Sequence, residues 1–267
     1  MSTGTLDLTK TLDLRKEKVL ALSKKAGLEG QKAQIVLSLD FSGSMSHLYH
    51  SGKVQELVER ILPVGMAFDD NGEVDFYLFH HGYIKVPENL TEGNIAGFIN
   101  SKVIKKYDMG ATNYAPIINK IVDDFAIRDG SETETYTETV EKSSGFLGLG
   151  KKTETVTKTR TINKYKKMDN PVYVIFITDG ECSDRQQAEQ AIVNAARAGI
   201  FFQFIGIGDE RFSFLKNLDT MSGRFIDNAN FFTINDLSKK SDDELYQLLL
   251  TEFPSYVKEA RNKGLIK

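Results

Sequence analysis

Apolar positions fall into two alternating kinds of run. Ile35-Val36-Leu37-Ser38-Leu39 is nearly continuous and predicts a strand buried on both faces over 34–41. Val54, Leu57, Val58, Ile61 and Leu62 then recur at helical spacing between Lys53 and Phe68. Residues 73–79 alternate into a second strand, and 83–86 form a returning edge strand stopped by Pro87. Residues 91–99 predict a short helix with Thr91 near its N-cap, and Ala115–Phe125 another with Pro116 in its first turn. Val172–Thr178 is the clearest core strand, followed by a helix over 184–198 closed by Gly199. Ile200–Ile207 is a further buried strand, 212–215 a short helix, and Phe225-Ile226 and 231–234 short strand material. A closing helix over 242–260 carries Leu245, Leu248, Leu249, Phe253 and Val257 on one side, with Pro254 bending it. Strands alternating with helices predict an α/β fold: a doubly wound, mostly parallel sheet with helices on both faces.

Two segments stand outside this rhythm. Thr5-Leu6-Asp7-Leu8 is echoed by Thr11-Leu12-Asp13-Leu14, and the alternation predicts an N-terminal arm or short hairpin over 1–30, lying on the main domain. Between Asp129 and Asn170, two Thr-rich arms flank the glycine-rich stretch 145–150. The β-branched residues and the charge pattern, acidic in the first arm and more basic in the second, predict a projecting hairpin with cross-strand attraction. The alternative is a disordered loop. Phe146, Leu147 and Leu149 would sit at the tip, as a contact for a partner or a membrane, or folded back on their own domain.

Composition narrows the function classes. The 267 residues carry a net charge of -3, with 40% hydrophobic and 27% charged residues, so no basic field draws the chain to nucleic acid. Cys182 is the single cysteine, which excludes an intrachain disulfide and a cysteine-based zinc site and suits a reducing compartment. The start of the chain has no signal-peptide pattern, and no window approaches the roughly 18 apolar residues of a membrane span. The expected location is cytoplasmic.

Three polar clusters fall at predicted strand ends or helix starts: Asp40–Ser44, Gly110–Asn113 and Thr178–Gly180. Ligands of doubly wound sheets sit outside the carboxyl ends of strands. Asp40, Ser42 and Ser44 place one carboxylate and two hydroxyls at alternate positions, with Gly43 to permit a sharp turn. A hard divalent cation wants such oxygens, and an ordinary polar turn uses the same residues.

Taken together, Asp40-x-Ser42-x-Ser44, Thr112 in Met109-Gly110-Ala111-Thr112-Asn113, and Asp179 in Ile177-Thr178-Asp179-Gly180 resemble the von Willebrand factor A (vWA) domain and its metal-ion-dependent adhesion site. The likeness covers roughly residues 31–260 and divides the chain into the 1–30 arm and a 31–267 vWA domain with a 129–170 inserted hairpin. The segments SLDFSGSM and MGATNYAPII, with the Leu-Asp-Leu arm, are most similar to the intracellular branch of copines and bacterial tellurium-resistance proteins. The resemblance implies that Ser42, Ser44 and Thr112 bind a divalent metal through their hydroxyls, while Asp40 and Asp179 act through waters. A cation with few direct carboxylates is under-neutralised and accepts an Asp or Glu from a protein partner. Mg²⁺ is the expected metal, with Mn²⁺ or Ca²⁺ as alternatives, and the resemblance implies an interaction module in tellurite or stress resistance, not an enzyme. Gly43 and Gly110 would let the backbone approach closely.

The rival classes are weaker. Asp40 could serve a Mg²⁺-dependent phosphatase or phosphoryl-transfer enzyme, but haloacid-dehalogenase phosphatases, which use such a strand-end Asp, carry a second Asp where Ser42 stands here, and no phosphate-binding P-loop is present. Ser42 and Ser44 lack a nucleophile elbow, and Cys182 reads as a buried small residue. Of the four histidines, His47 and His50 lie just past the Asp40 loop, while strand alternation sends His80 and His81 to opposite faces, where they cannot easily share a zinc ion.

Overall fold

A computed structural model describes residues 3–144, 150–180, 182–208 and 210–267. The elements in order are α1 (Thr3–Lys25), β1 (Gln34–Asp40), α2 (Ser46–His50), α3 (Lys53–Phe68), β2 (Asp75–Phe79), β3 (Tyr83–Lys85) and α4 (Ala115–Phe125). They continue with β4 (Arg128–Ser144), β5 (Gly150–Tyr165), β6 (Val172–Thr178), α5 (Arg185–Ala195), β7 (Ile200–Ile207), α6 (Ser213–Thr220), β8 (Ala229–Ile234), α7 (Asp242–Leu249) and α8 (Phe253–Asn262).

Six strands form one sheet in the order β3-β2-β1-β6-β7-β8. All pairs are parallel except β2 with β3. The period-2 geometry of a strand divides each central strand between two cores. Ile35, Leu37 and Leu39 of β1 join Tyr173, Ile175 and Ile177 of β6 on the face covered by α1, α3, α7 and α8. Val36, Val174 and Phe176 point to the other face, under α4, α5 and α6. The chain leaves β1 toward β2 on one side and returns to β6 on the other, so the crevice outside the ends of β1 and β6 is the topological switch point. Leu39 pairs with Ile177, which sets Asp40 beside Thr178 at that crevice. No helix among the described residues is long and apolar enough to cross a membrane.

The N-terminal segment departs from the expected arm or hairpin: it is the 23-residue helix α1. Its Leu-Asp-Leu echoes suggest period 2, but Leu8, Leu12, Val19 and Leu22 pack on the core at helical spacing, with Leu12 and Val19 fully buried. Leu14, which closes the second Leu-Asp-Leu echo, is 52% exposed, and Leu20 beyond it is 45% exposed. Arg15 of α1 donates to Asp242 at the start of α7.

Other boundaries also move. The closing helix is two helices, α7 and α8, because Pro254 occupies the first turn of α8 instead of bending one continuous helix. The segment expected as a short helix over 91–99 is a chain of turns leading into a π-helical turn, Ile99–Ile104, and the Thr91 N–H is held by the Asn94 side chain. The insertion forms the separate two-stranded antiparallel sheet β4-β5, with Thr133, Thr135 and Thr137 opposite Thr161, Thr159 and Thr157. Cross-strand attraction is present in Arg160–Glu134 at 2.7 Å and Lys164–Glu132 at 3.6 Å. Arg197 ties Glu134 to the main domain and Ile162 is buried, so the hairpin base is anchored. Phe146, Leu147 and Leu149 lie outside the described residues.

Candidate metal centre

Asp40 is the last residue of β1 and is fully buried. Its Oδ1 accepts the Ser42 N–H at 2.9 Å and its Oδ2 accepts the Thr178 hydroxyl at 2.6 Å. Buried Tyr49 of α2 donates to the Asp40 carbonyl at 2.8 Å and packs edge-on against Phe41. The strand end is therefore fixed from three sides.

Ser42 Oγ and Ser44 Oγ stand 3.0 Å apart, and Ser44 Oγ donates to Asp179 Oδ1 at 2.8 Å. Four of the five predicted residues thus belong to one short chain of contacts spanning the ends of β1 and β6. Thr112 is not part of that chain of contacts; its loop reaches the same place through the backbone of Gly110. Ser42 and Gly110 form an isolated parallel bridge, Gly43 N–H donates to the Gly110 carbonyl at 3.1 Å, and Gly110 N–H donates to the Phe41 carbonyl at 3.2 Å. The Thr112 carbonyl in turn accepts the Ser183 N–H at 3.0 Å.

The electrostatics are unusual for a polar turn. Burial pushes the Asp40 carboxyl up to about 6, against the pull of the Thr178 and Ser42 hydrogen bonds, and the nearby Asp179 charge adds to the rise. Burial also raises Asp179, opposed by its hydrogen bond from Ser44. Among the described residues neither carboxylate has an ion-pair partner. Nor does any group of three or more His, Cys, Asp and Glu side chains stand close enough to hold a metal ion. Any cation here would rely on the hydroxyls as well as the two carboxylates, an all-oxygen set that fits a hard divalent ion.

Several supporting residues escape a motif-based reading. Thr178 holds Asp40 directly; its place next to Asp179 on a strand end was the available signal. Asp184 accepts the N–H groups of Tyr114 and Ala115, both at 2.9 Å, and so fixes the start of α4. Tyr114 donates to the Gly180 carbonyl at 2.6 Å while its ring meets Phe79 and Phe176, with centroids at 5.7 and 5.0 Å. Nothing in their spacing marks these two residues as partners across the switch point. Cys182 is buried and its thiol is pushed up to about 12 by burial and by Asp184, so a thiolate is disfavoured.

The histidines correct the strand-based expectation. His80 and His81 lie in the bend between β2 and β3, where alternation does not apply, and their rings stack at 4.2 Å. The pair packs on Gly110, where an added Cβ would come within 2.8 Å of His81 Nδ1 and 3.1 Å of His80 Cβ. At Gly43 such a Cβ would meet nothing within 4 Å, and its φ is not positive, so the loop turns there without a glycine-only conformation. Gly110→Ala is expected to cost about 1–3 kcal/mol by overpacking, whereas Gly43→Ala stays within about 0.5 kcal/mol. Urea denaturation of the two variants checks the contrast. His47 Nδ1 sits 2.9 Å from the Ser44 carbonyl and His50 Nδ1 2.8 Å from that of Ser46, so both stay on their own turn.

Comparisons with known proteins agree with the architecture. The chain is 32% identical over 260 residues to uncharacterized protein YcbR of Bacillus subtilis (strain 168), covering 96% of this chain and 90% of that protein. Among solved structures, proximal thread matrix protein 1 of the mussel byssus superposes with a TM-score of 0.53 at 16% identity over 82% of this chain. The chain spans 47% of that protein's length. The conserved hypothetical protein BatB of Bacteroides thetaiotaomicron superposes with a TM-score of 0.51 at 15% identity, over 85% of this chain and 99% of BatB. A family described as vWA-TerF-like, the vWA found in the TerF C terminus, matches residues 32–137 and 129–266, two stretches that overlap inside β4. The chain belongs to this vWA-TerF-like family.

Proposed function

We propose that the protein is a metal-dependent protein-binding module that captures an acidic side chain of a partner through a divalent cation. The observation that carries this reading is one crevice in which Asp40, Ser42, Ser44 and Asp179 form a chain of contacts with no cationic side chain paired to them among the described residues. The hydroxyls of Ser42, Ser44 and Thr112 would hold the ion, Mg²⁺ in the first instance and Mn²⁺ or Ca²⁺ otherwise, as in a metal-ion-dependent adhesion site. Asp40 and Asp179 would hold its waters. Bound there, the cation would supply an electrophilic coordination position for a carboxylate oxygen.

Burial of Asp40, with both oxygens already engaged, supports binding over phosphoryl transfer, which would require that carboxylate to attack a substrate. A place in the copine and tellurium-resistance branch and a role in tellurite or stress resistance are proposed on the sequence resemblance alone. The test is a pull-down from lysate with the native chain and Asp40→Asn, each in Mg²⁺ and in EDTA. A partner retained only by the native chain and only in Mg²⁺ is expected. Identical capture under all four conditions, or phosphatase turnover that Asp40→Asn abolishes, would sink the proposal.

A further inference from the structure

A cleft of about 310 Å³ opens beside the candidate metal centre and shares Asp179 with it. It lies outside the carboxyl ends of β6, β7 and β8. Its apolar lining comes from Leu48, Val54, Leu57, Ile207, Ile234 and Leu237. Its polar lining includes Lys53, Glu210 and Asn235. Lys53, the first residue of α3, is exposed and has no ion pair among the described residues. Gly208, with φ of 109°, also lines the cleft, and a Cβ there would meet nothing within 4 Å, so backbone is open to a ligand.

These features select a kind of occupant. The volume is at the lower end of small-molecule sites, roughly 300–1,000 Å³, and suits one or two side chains. Apolar residues with separate polar groups match a peptide that inserts a side chain and keeps its backbone hydrogen-bonded. Lys53 shares the lining with His47 and with the carboxylates of Asp179 and Glu210, so the charge there is mixed and selection falls to the apolar residues. A further negative charge at position 53 would repel an acidic peptide. Because the cleft adjoins Asp179, a chain whose carboxylate reached the cation would carry its neighbouring residues across the opening.

We infer that this cleft is the specificity pocket of the module. It takes an apolar side chain (Leu, Ile, Met or Phe) lying within two residues of the partner's metal-binding Asp or Glu. The inference rests on the metal-dependent reading above and adds the sequence class of the partner.

The test uses short fluorescent peptides with one fixed Glu, carrying either Leu or Ser at the adjacent positions, titrated in millimolar Mg²⁺ and in EDTA. The Leu peptides are expected to bind about ten-fold tighter than the Ser peptides in Mg²⁺, the effect of partly burying one side chain. Ile207→Trp, which fills the cleft, should remove that preference and leave Ser-peptide binding unchanged. Lys53→Glu, on the exposed rim, should weaken both peptides several-fold and serves if Ile207→Trp does not fold. Mg²⁺-dependent binding without a Leu preference, or a preference that survives Ile207→Trp, overturns the pocket and leaves the metal reading standing. A Lys53→Glu protein that binds both peptides as the native chain does also overturns it. No Mg²⁺-dependent binding of either peptide removes both.

Discussion

Millimolar Mg²⁺ is expected to raise the melting temperature of the native chain and to leave that of Asp40→Asn where it was. A ligand present at 100 times its Kd adds about 2.7 kcal/mol, or roughly 5–10 °C for a chain of this size. Asn keeps the shape of Asp40 and can still meet Ser42 and Thr178, so the variant isolates the charge. The same carboxylate sets a pH dependence. Its folded-state pKa is raised from 3.8 to about 6, so the metal-free protein gains stability from the neutral form. That contribution is complete below 3.8 and disappears as pH rises through 6. A cation demands the ionised form, so the Mg²⁺-induced shift is full at pH 7.5 and shrinks as pH falls through 6. Differential scanning fluorimetry at pH 5 and pH 7.5, with and without Mg²⁺, reads both effects. A shift of equal size in Asp40→Asn would exclude this carboxylate from the site.

Arg60→Ala is expected to be strongly destabilising although it lies away from the crevice. Arg60 belongs to α3 but is 4% exposed. Its guanidinium donates to Asp242 at 2.7 Å and to the carbonyls of Leu237 and Lys240. Asp242 also receives Arg15 of α1 at 2.9 Å, so one carboxylate joins three helices. Burial alone would raise Asp242, but the hydrogen bond and charge of Arg15 and those of Arg60 outweigh it and hold the carboxyl low. Asp242 keeps Arg15 in that variant. The cost comes from the lost Arg60 hydrogen bonds, which leave the Leu237 and Lys240 carbonyls without this donor, and from the buried stem. It is expected at about 2–4 kcal/mol, or roughly 4–16 °C in Tm. Arg15 is more exposed, and Arg15→Ala should cost about 1 kcal/mol. Because the Asp242 pKa is depressed, its contribution is present above the ordinary carboxylate pKa and is lost as pH falls through the folded value. Acid unfolding of the native chain should therefore be steeper than that of Arg60→Ala. Chemical denaturation at neutral and acid pH measures both.

The strand–loop grammar of the centre is readable because Asp40 and Asp179 each follow a nearly continuous apolar run. A strand buried on both faces has no polar alternation to blur its end. The meeting of those ends at a switch point follows from the alternation of strands and helices. What stayed hidden was set by tertiary contact. The Leu-Asp-Leu echo of α1 supports period 2 and period 3.6 at once, and only packing against α3 and α7 selects the helix. Gly43 and Gly110 look alike in sequence, yet a histidine pair lies against the second and open space above the first. His80 and His81 stack because Gly82 makes a bend where strand geometry was assumed. Asp184 and Tyr114 lie 70 positions apart, and their joint hold on the loops has no local signature.

We propose that Ser42, Ser44 and Thr112, with Asp40 and Asp179, hold one divalent cation in the crevice between β1 and β6. Crystals of the native chain grown with Mn²⁺ and measured at the manganese absorption edge test it most directly. A single anomalous peak is expected within coordination distance of the Ser42, Ser44 and Thr112 hydroxyls, absent from crystals of Asp40→Asn. No peak at that crevice, or one seated instead at the His80–His81 pair, would contradict it.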